Sequence, residues 1–170
     1  MNILLILAIC FVIFAYIKLY LRPKKNIQLL QANLSNFDSN LLVEKQPILI
    51  FDKVVHPQNV IDVFFKYMYH LSNSSQTASG SNVQNLSRFA MIYNDSDKAI
   101  EISIKKYFTK ADSISKNMYY SLIDQHEDDV KPLTIKLPEK NILIIPYLFS
   151  FKTEHTIPIT YLSDFIHVFF

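Results

Sequence analysis

Apolar residues dominate the first turns of the chain: from Ile3 to Leu21, "ILLILAICFVIFAYIKLYL", Lys18 is the one charge. At ~1.5 Å per residue a helix over this run would match a hydrocarbon core of ~30 Å, and it predicts a single transmembrane helix. After Pro23 the spacing changes. Ile27, Leu30, Leu34, Phe37 and Leu41 recur three and four apart, which predicts a connecting helix or linker over residues 26–40, broken near Ser35 by "SNFDSN". "PILIF", Pro47 to Phe51, reads as a short buried strand. "HPQNVIDVFFKYMYHL" reads as a helix with Pro57 in its first turn and Val60, Ile61, Phe64, Phe65 and Met68 on one stripe. Ser72 to Ser87 holds almost nothing apolar and predicts a loop. Beyond it the period becomes two. "RFAMIYNDSDKAIEISIKKY" predicts a hairpin turning at "NDSD", with Ile100, Ile102 and Ile104 on one face and Glu101, Ser103 and Lys105 on the other. "NMYYSLI", "LTIKL", "NILII", "YLFSF" and "IPITYL" are further strand candidates, and "SDFIHVFF" a short closing element. Many short strands behind one or two helices predict a mainly-β sandwich or barrel.

One stretch in the second half joins an apolar run to a proline and then to alternating aromatics: "NILIIPYLFSFK", Asn141 to Lys152. Proline has no N–H, so Pro146 should end a ladder of hydrogen bonds and turn the chain. Past it, strand alternation would send Tyr147, Phe149 and Phe151 to one side and Leu148 and Ser150 to the other. Buried aromatics of ~150 to 250 Å² each would then supply much of the packing there.

Composition narrows the chemistry. Gly80 is the one glycine, which excludes P-loops and GxGxxG dinucleotide sites, and the one cysteine, Cys10, excludes an internal disulfide or a cysteine-based zinc site. The net charge of +2 arises beside the apolar leader: Lys18, Arg22, Lys24 and Lys25 flank it, and removing those four from 17 basic residues leaves 13 against 15 acidic ones. The remainder has no basic excess, so nucleic acid is not an expected partner. By the positive-inside bias the same four residues place the C-terminal domain on the cytoplasmic face. Asn-x-Ser sequons at Asn33, Asn73, Asn85 and Asn94 point the other way, and an Asn- and Ser-rich chain yields them by chance.

No catalytic constellation stands out. His126 and Asp128 form the one HxD pair, within "QHEDD", and lack a third ligand nearby. His56 and His70 bracket a predicted helix, His155 sits in a turn, and His167 lies among apolar residues. Asp52, Asp62, Glu44 and Lys45 form no recognisable site.

"LLVEKQPILIFDKVV" followed by a helix, then strands, then "IKLPEKNILIIPYLFSFKTE" and "ITYLSDFI", resembles the cupin-like jelly roll, or double-stranded β-helix, of JmjC-type proteins. It resembles more closely the reduced versions of that fold in nucleocytoplasmic large DNA viruses, where a membrane helix often precedes the domain. The resemblance covers residues 41–170, which divides the chain into an anchor with its basic flank (1–25), a connecting segment (26–40) and the β domain. In the enzymes of that family an HxD or HxE pair and a distal histidine hold iron. Matched residue by residue, Pro146 falls at the proline before the final metal strand, and Phe151 stands where the distal histidine belongs. A phenyl ring has no lone pair to donate, so the resemblance implies a degenerate, non-catalytic domain with no metal and no cofactor. It further implies a virion structural component linking an inner membrane to the capsid layer, with the lipid bilayer and other viral capsid or membrane proteins as partners, and homo-oligomers as a possibility. The competing expectations are a membrane-tethered iron/2-oxoglutarate enzyme and a cellular membrane adaptor.

Overall fold

The structure is a computed structural model that describes residues 3–16, 26–65, 72–78, 82–106 and 131–163. It is mainly β, with ten strands and three helices among those residues. In chain order they are α1 (Ile3–Tyr16), β1 (Leu30–Ala32), α2 (Asn40–Val43), β2 (Ile48–Ile50), α3 (Pro57–Phe64), β3 (Ser72–Ala78), β4 (Asn82–Asn85) and β5 (Phe89–Tyr93). There follow β6 (Ile100–Lys106), β7 (Leu133–Leu137), β8 (Ile142–Pro146), β9 (Phe149–Thr153) and β10 (Ile157–Ser163).

The strands form a six-stranded sheet in the order β1-β2-β8-β5-β10-β3 and a four-stranded sheet in the order β4-β9-β6-β7. From β3 onward the chain wraps back and forth between the sheets. Numbering those eight strands from one gives 1-8-3-6 in the larger sheet and 2-7-4-5 in the smaller, the winding of a jelly roll, and all pairs within it are antiparallel. At the far edge of the larger sheet, β1 pairs parallel with β2, and β2 pairs antiparallel with β8.

Alternation along the strands builds two cores. Leu49, Ala90, Ile92, Leu143, Ile145 and Ile159 point from the larger sheet toward the smaller and meet Ile102, Ile104, Phe149 and Phe151. The opposite face of the larger sheet, with Ile48, Ile50, Met91, Ile142 and Ile144, is covered by α2, α3 and the segments beside them. Pro57 opens α3 at a position where the missing N–H costs nothing, and Val60 and Phe64 are the buried turns of its apolar stripe. Phe64 stacks on Phe37 at 3.8 Å between centroids, and Phe65 leans on Phe89 at 5.4 Å.

Three expectations are corrected. The three-and-four spacing of residues 26–40 does not make a helix there: Leu30 and Ala32 lie in β1, paired with Ile48 and Ile50, and turns follow. The partner strand β2 supplies hydrogen bonds to this segment, and tertiary pairing outweighs a weak helical period. The polar stretch expected to be a loop contains β3 and β4. β3 sits at a sheet edge, where Ser74 to Thr77 are exposed and backbone pairing with β10 along its whole length needs no apolar side chains.

The expected hairpin is two strands in different sheets. β5 pairs with β8 and β10, β6 with β7 and β9, and the "NDSD" segment carries the chain across. Asn94 holds that crossing. Its Nδ2 donates to the carbonyls of Lys98 (2.8 Å), Leu137 (3.0 Å) and Pro138 (3.0 Å), while its Oδ1 accepts from the Ser96 N–H (3.1 Å) and hydroxyl (2.6 Å). An Asn94→Ala variant, which orphans these buried groups, is expected to lose about 2–3 kcal/mol of stability in urea unfolding.

The leader is described over residues 3–16. α1 is 14 residues long, about 21 Å at ~1.5 Å per residue, and among the described residues no helix is long and apolar enough to cross a membrane. Ile17 to Lys25, with Lys18, Arg22, Lys24 and Lys25, lie outside the described residues, as do Met68, "NMYYSLI" and "SDFIHVFF" beyond Ser163. The α1 residues are apolar on every side, and the side chains of residues 3–14 are exposed, Ile3 at 77% and Phe11 at 71%, with no acidic or basic residue in the first or last turn.

Candidate functional site

The proline-kinked stretch is where the jelly roll changes sheets. β8 runs to Pro146 in the larger sheet, Tyr147 and Leu148 make a two-residue connection, and β9 starts at Phe149 in the smaller one. Leu148 takes the left-handed backbone region at φ 63°, a conformation that costs a non-glycine residue about 1 kcal/mol or more, while its side chain is buried. The connection is bound to the segment between β4 and β5. Tyr147 N–H donates to the Arg88 carbonyl (3.1 Å) and Leu148 N–H to the Asn85 carbonyl (3.2 Å). The buried Asn85 amide in turn donates to the carbonyls of Ile145 and Pro146, both at 2.9 Å, and its Oδ1 accepts from Ser87 N–H. Tyr147 therefore belongs to the turn rather than to the face it was expected to share with Phe149 and Phe151.

Phe149 and Phe151 both point between the sheets and are buried. Phe151, at the position the resemblance gives to a metal-binding histidine, lies in register between Ile104 of β6 and Val83 of β4. Hydrocarbon fills the space on both sides of that ring.

An amine shares this interior. Lys106 ends β6, whose burial alternates along Ile100, Ile102, Ile104 and Lys106, and it stands opposite Phe149 in the ladder. Its side chain is thus on the inter-sheet face, the residue is 5% exposed, and its Nζ has no hydrogen-bond partner among the described residues. Burial lowers its pKa from the ordinary 10.5 to about 8. Across the sandwich, Tyr161 lies opposite Ala90, one step in register from the layer of Phe89 and Pro146, so it too faces inward at this end. Burial raises the pKa of its phenol. Arg88, buried, precedes β5 at the same end and stacks its guanidinium 5.6 Å from the Phe89 ring centre. The alternation that placed Ile100, Ile102 and Ile104 on one face runs on to Lys106, so its inward position was legible; its isolation there was not.

The other candidates do not converge. His56 is the residue before α3 and makes no side-chain cap, and His155 is exposed beside β9. Asp52 accepts from the Leu34 backbone N–H, and Asp62 accepts from Gln58 in the preceding turn of α3, at 3.0 Å. His70, His126, Asp128 and His167 lie outside the described residues. Among the described residues no three His, Cys, Asp or Glu side chains gather as a metal-binding group.

No family model matches the chain, and no curated protein matches it. A search of solved structures finds RmlC from Streptococcus suis, a structure in complex with dTDP-D-xylose, at a TM-score of 0.32 and 7% identity, over 69% of this chain and 61% of that one. The class is defined by the chain's own strand order: a mainly-β jelly roll, with few helices and an apolar interior among the described residues.

Proposed function

We propose that this protein is a non-catalytic, single-pass membrane protein whose jelly-roll body docks on other proteins. The observation that carries the reading is α1, a helix apolar on every side with its side chains exposed, since a helix of that kind is at home in lipid or inside a protein. In sequence the apolar run continues past α1 to Leu21 and meets the basic residues Arg22, Lys24 and Lys25, which favour the cytoplasmic face for the β domain beyond them. Phe149 and Phe151 support the non-catalytic part, because they occupy the middle of the β-sandwich with carbon. The resemblance to the reduced jelly rolls of large DNA viruses supports a more particular role, a virion component linking an inner membrane to the capsid layer.

The experiment uses the full chain with a C-terminal tag, expressed in cells. It should pellet with membranes and resist extraction by alkaline carbonate, and protease added to the cytoplasmic side should remove the tag. Recovery of the intact chain in the carbonate supernatant would overturn the anchor, and a protected tag would reverse the orientation. Stoichiometric iron in the purified protein would overturn the non-catalytic reading. The viral role stands or falls on recovery of the chain in purified particles, cross-linked to capsid protein.

A further inference from the structure

We propose that the end of the jelly roll carrying the β8–β9 turn rests on the phospholipid headgroups of the membrane that holds the anchor, with the opposite end turned away. This orientation rests on the anchor reading above and adds to it the surface of the body that meets lipid.

The tether is short. In sequence the apolar run closes at Leu21, and the folded body takes hold of the chain at Asn26. The buried Gln46 side chain clamps it there: Nε2 donates to the Asn26 carbonyl (2.8 Å), and Oε1 accepts from the Gln28 N–H (2.9 Å). The Leu30 N–H then donates to the Pro47 carbonyl (2.9 Å), and β1 begins. Stretched fully at ~3.6 Å per residue, the chain from Leu21 to Asn26 spans at most about 18 Å, so the clamp stays beside the headgroups.

Register fixes which end of the body that is. Gln46 and Pro47 lead into β2, whose first residue, Ile48, lies opposite Ile144 near the close of β8. Phe89 at the start of β5 lies opposite Pro146, and Asn85 and Lys106, which close β4 and β6, both lie opposite Phe149. The clamp, the β8–β9 turn and the segment from Leu86 to Arg88 therefore share the near end. The Asn94 crossing and the turns at Glu139 and at His155 share the far one. Among the described residues the near end exposes Lys105 and Lys131 beside Glu44, while the far end carries Asp95, Asp97, Glu139 and Glu154, with Lys53 and Lys140 paired to Glu139 and Asp95. An anionic cytoplasmic leaflet favours the first set and repels the second. Residues 107–130, outside the described residues, add acids at Asp124 and from Glu127 to Asp129, so the test uses neutral vesicles as well as anionic ones.

The full chain, with Cys10→Ser and one new cysteine at a time, is reconstituted in vesicles of phosphatidylcholine, with and without phosphatidylserine. A fluorophore on Leu86→Cys or Pro132→Cys reports the near end, and one on Asp97→Cys or His155→Cys the far end, all four positions being exposed. Lipids with a nitroxide on the headgroup quench whichever label lies close. Strands of seven residues such as β6 put the two ends about 23 Å apart, so near-end labels should be quenched at least about threefold more strongly than far-end ones, in either lipid. Equal quenching at both ends, as for a body lying on its side, or the reverse order, would overturn the orientation and leave the anchor intact. A chain that does not float with the vesicles would overturn both.

Discussion

Phe151→Ala is expected to destabilise the jelly roll by about 3–5 kcal/mol, the range for removing a large aromatic side chain from a core that cannot close around the gap. The ring is buried between Ile104 and Val83 in the smaller sheet, with the inner residues of the larger sheet above it. Strand ladders on both flanks keep the backbone from collapsing inward, so most of the cavity should persist. Urea unfolding of the full chain in detergent measures this as a lower midpoint at unchanged slope. A loss under about 1 kcal/mol would mean that the interior repacks or is open, and the ring would no longer account for a plugged centre. Phe151→His, which puts an imidazole at the matched metal position, is also expected to destabilise, since no described partner awaits either ring nitrogen.

Lys106→Met should stabilise the protein at pH 7, by up to about 3 kcal/mol. Folding lowers the lysine pKa from 10.5 to about 8, and at about 1.4 kcal/mol per unit the charged form is disfavoured in the fold by that amount. The sign follows from proton counts. Below pH 8 both states are protonated, and the wild type carries the full penalty. Between about pH 8 and 10.5 the unfolded chain binds more protons than the folded one, so wild-type stability rises with pH and the advantage of methionine shrinks through that window. Methionine keeps the length and the packing of the stem, which makes the comparison close to a removal of charge alone. The measurement is unfolding of both proteins at pH 7 and pH 10. A methionine variant less stable than wild type at pH 7 would show that the amine has a favourable partner in the folded protein.

Much of the strand inventory was legible along the chain. Ile100, Ile102 and Ile104 alternate with Glu101, Ser103 and Lys105, and they are buried and outward as that alternation requires, because a strand's period of two is local geometry. Pro57 marked a helix start and Pro146 a strand end for reasons carried by one residue each, a fixed φ and a missing N–H. The segment beside β1 misled because its apolar residues divide between two cores: of those at helical spacing, Ile27 packs between the sheets, Leu30, Phe37 and Leu41 pack on the helical side, and Leu34 is exposed. Leu29 packs between the sheets, while Leu30 and Ala32 pack on the helical side. The polar strand β3 misled for the opposite reason, since an edge strand can be held by backbone pairing alone.

What the sequence alone determined is the set of short alternating strands, the helix at Pro57, the apolar leader run and a phenylalanine at position 151. The tertiary structure decided which strands are partners: β5 and β6, adjacent in the chain, lie in opposite sheets because Asn94 and its neighbours carry the backbone across. Alternation says which side chains share a face, but every strand offers the same N–H and C=O ladder to every other. Partner choice therefore rests on contacts far apart in sequence, and those contacts also set Lys106 opposite Phe149 with no hydrogen-bond partner for its Nζ among the described residues.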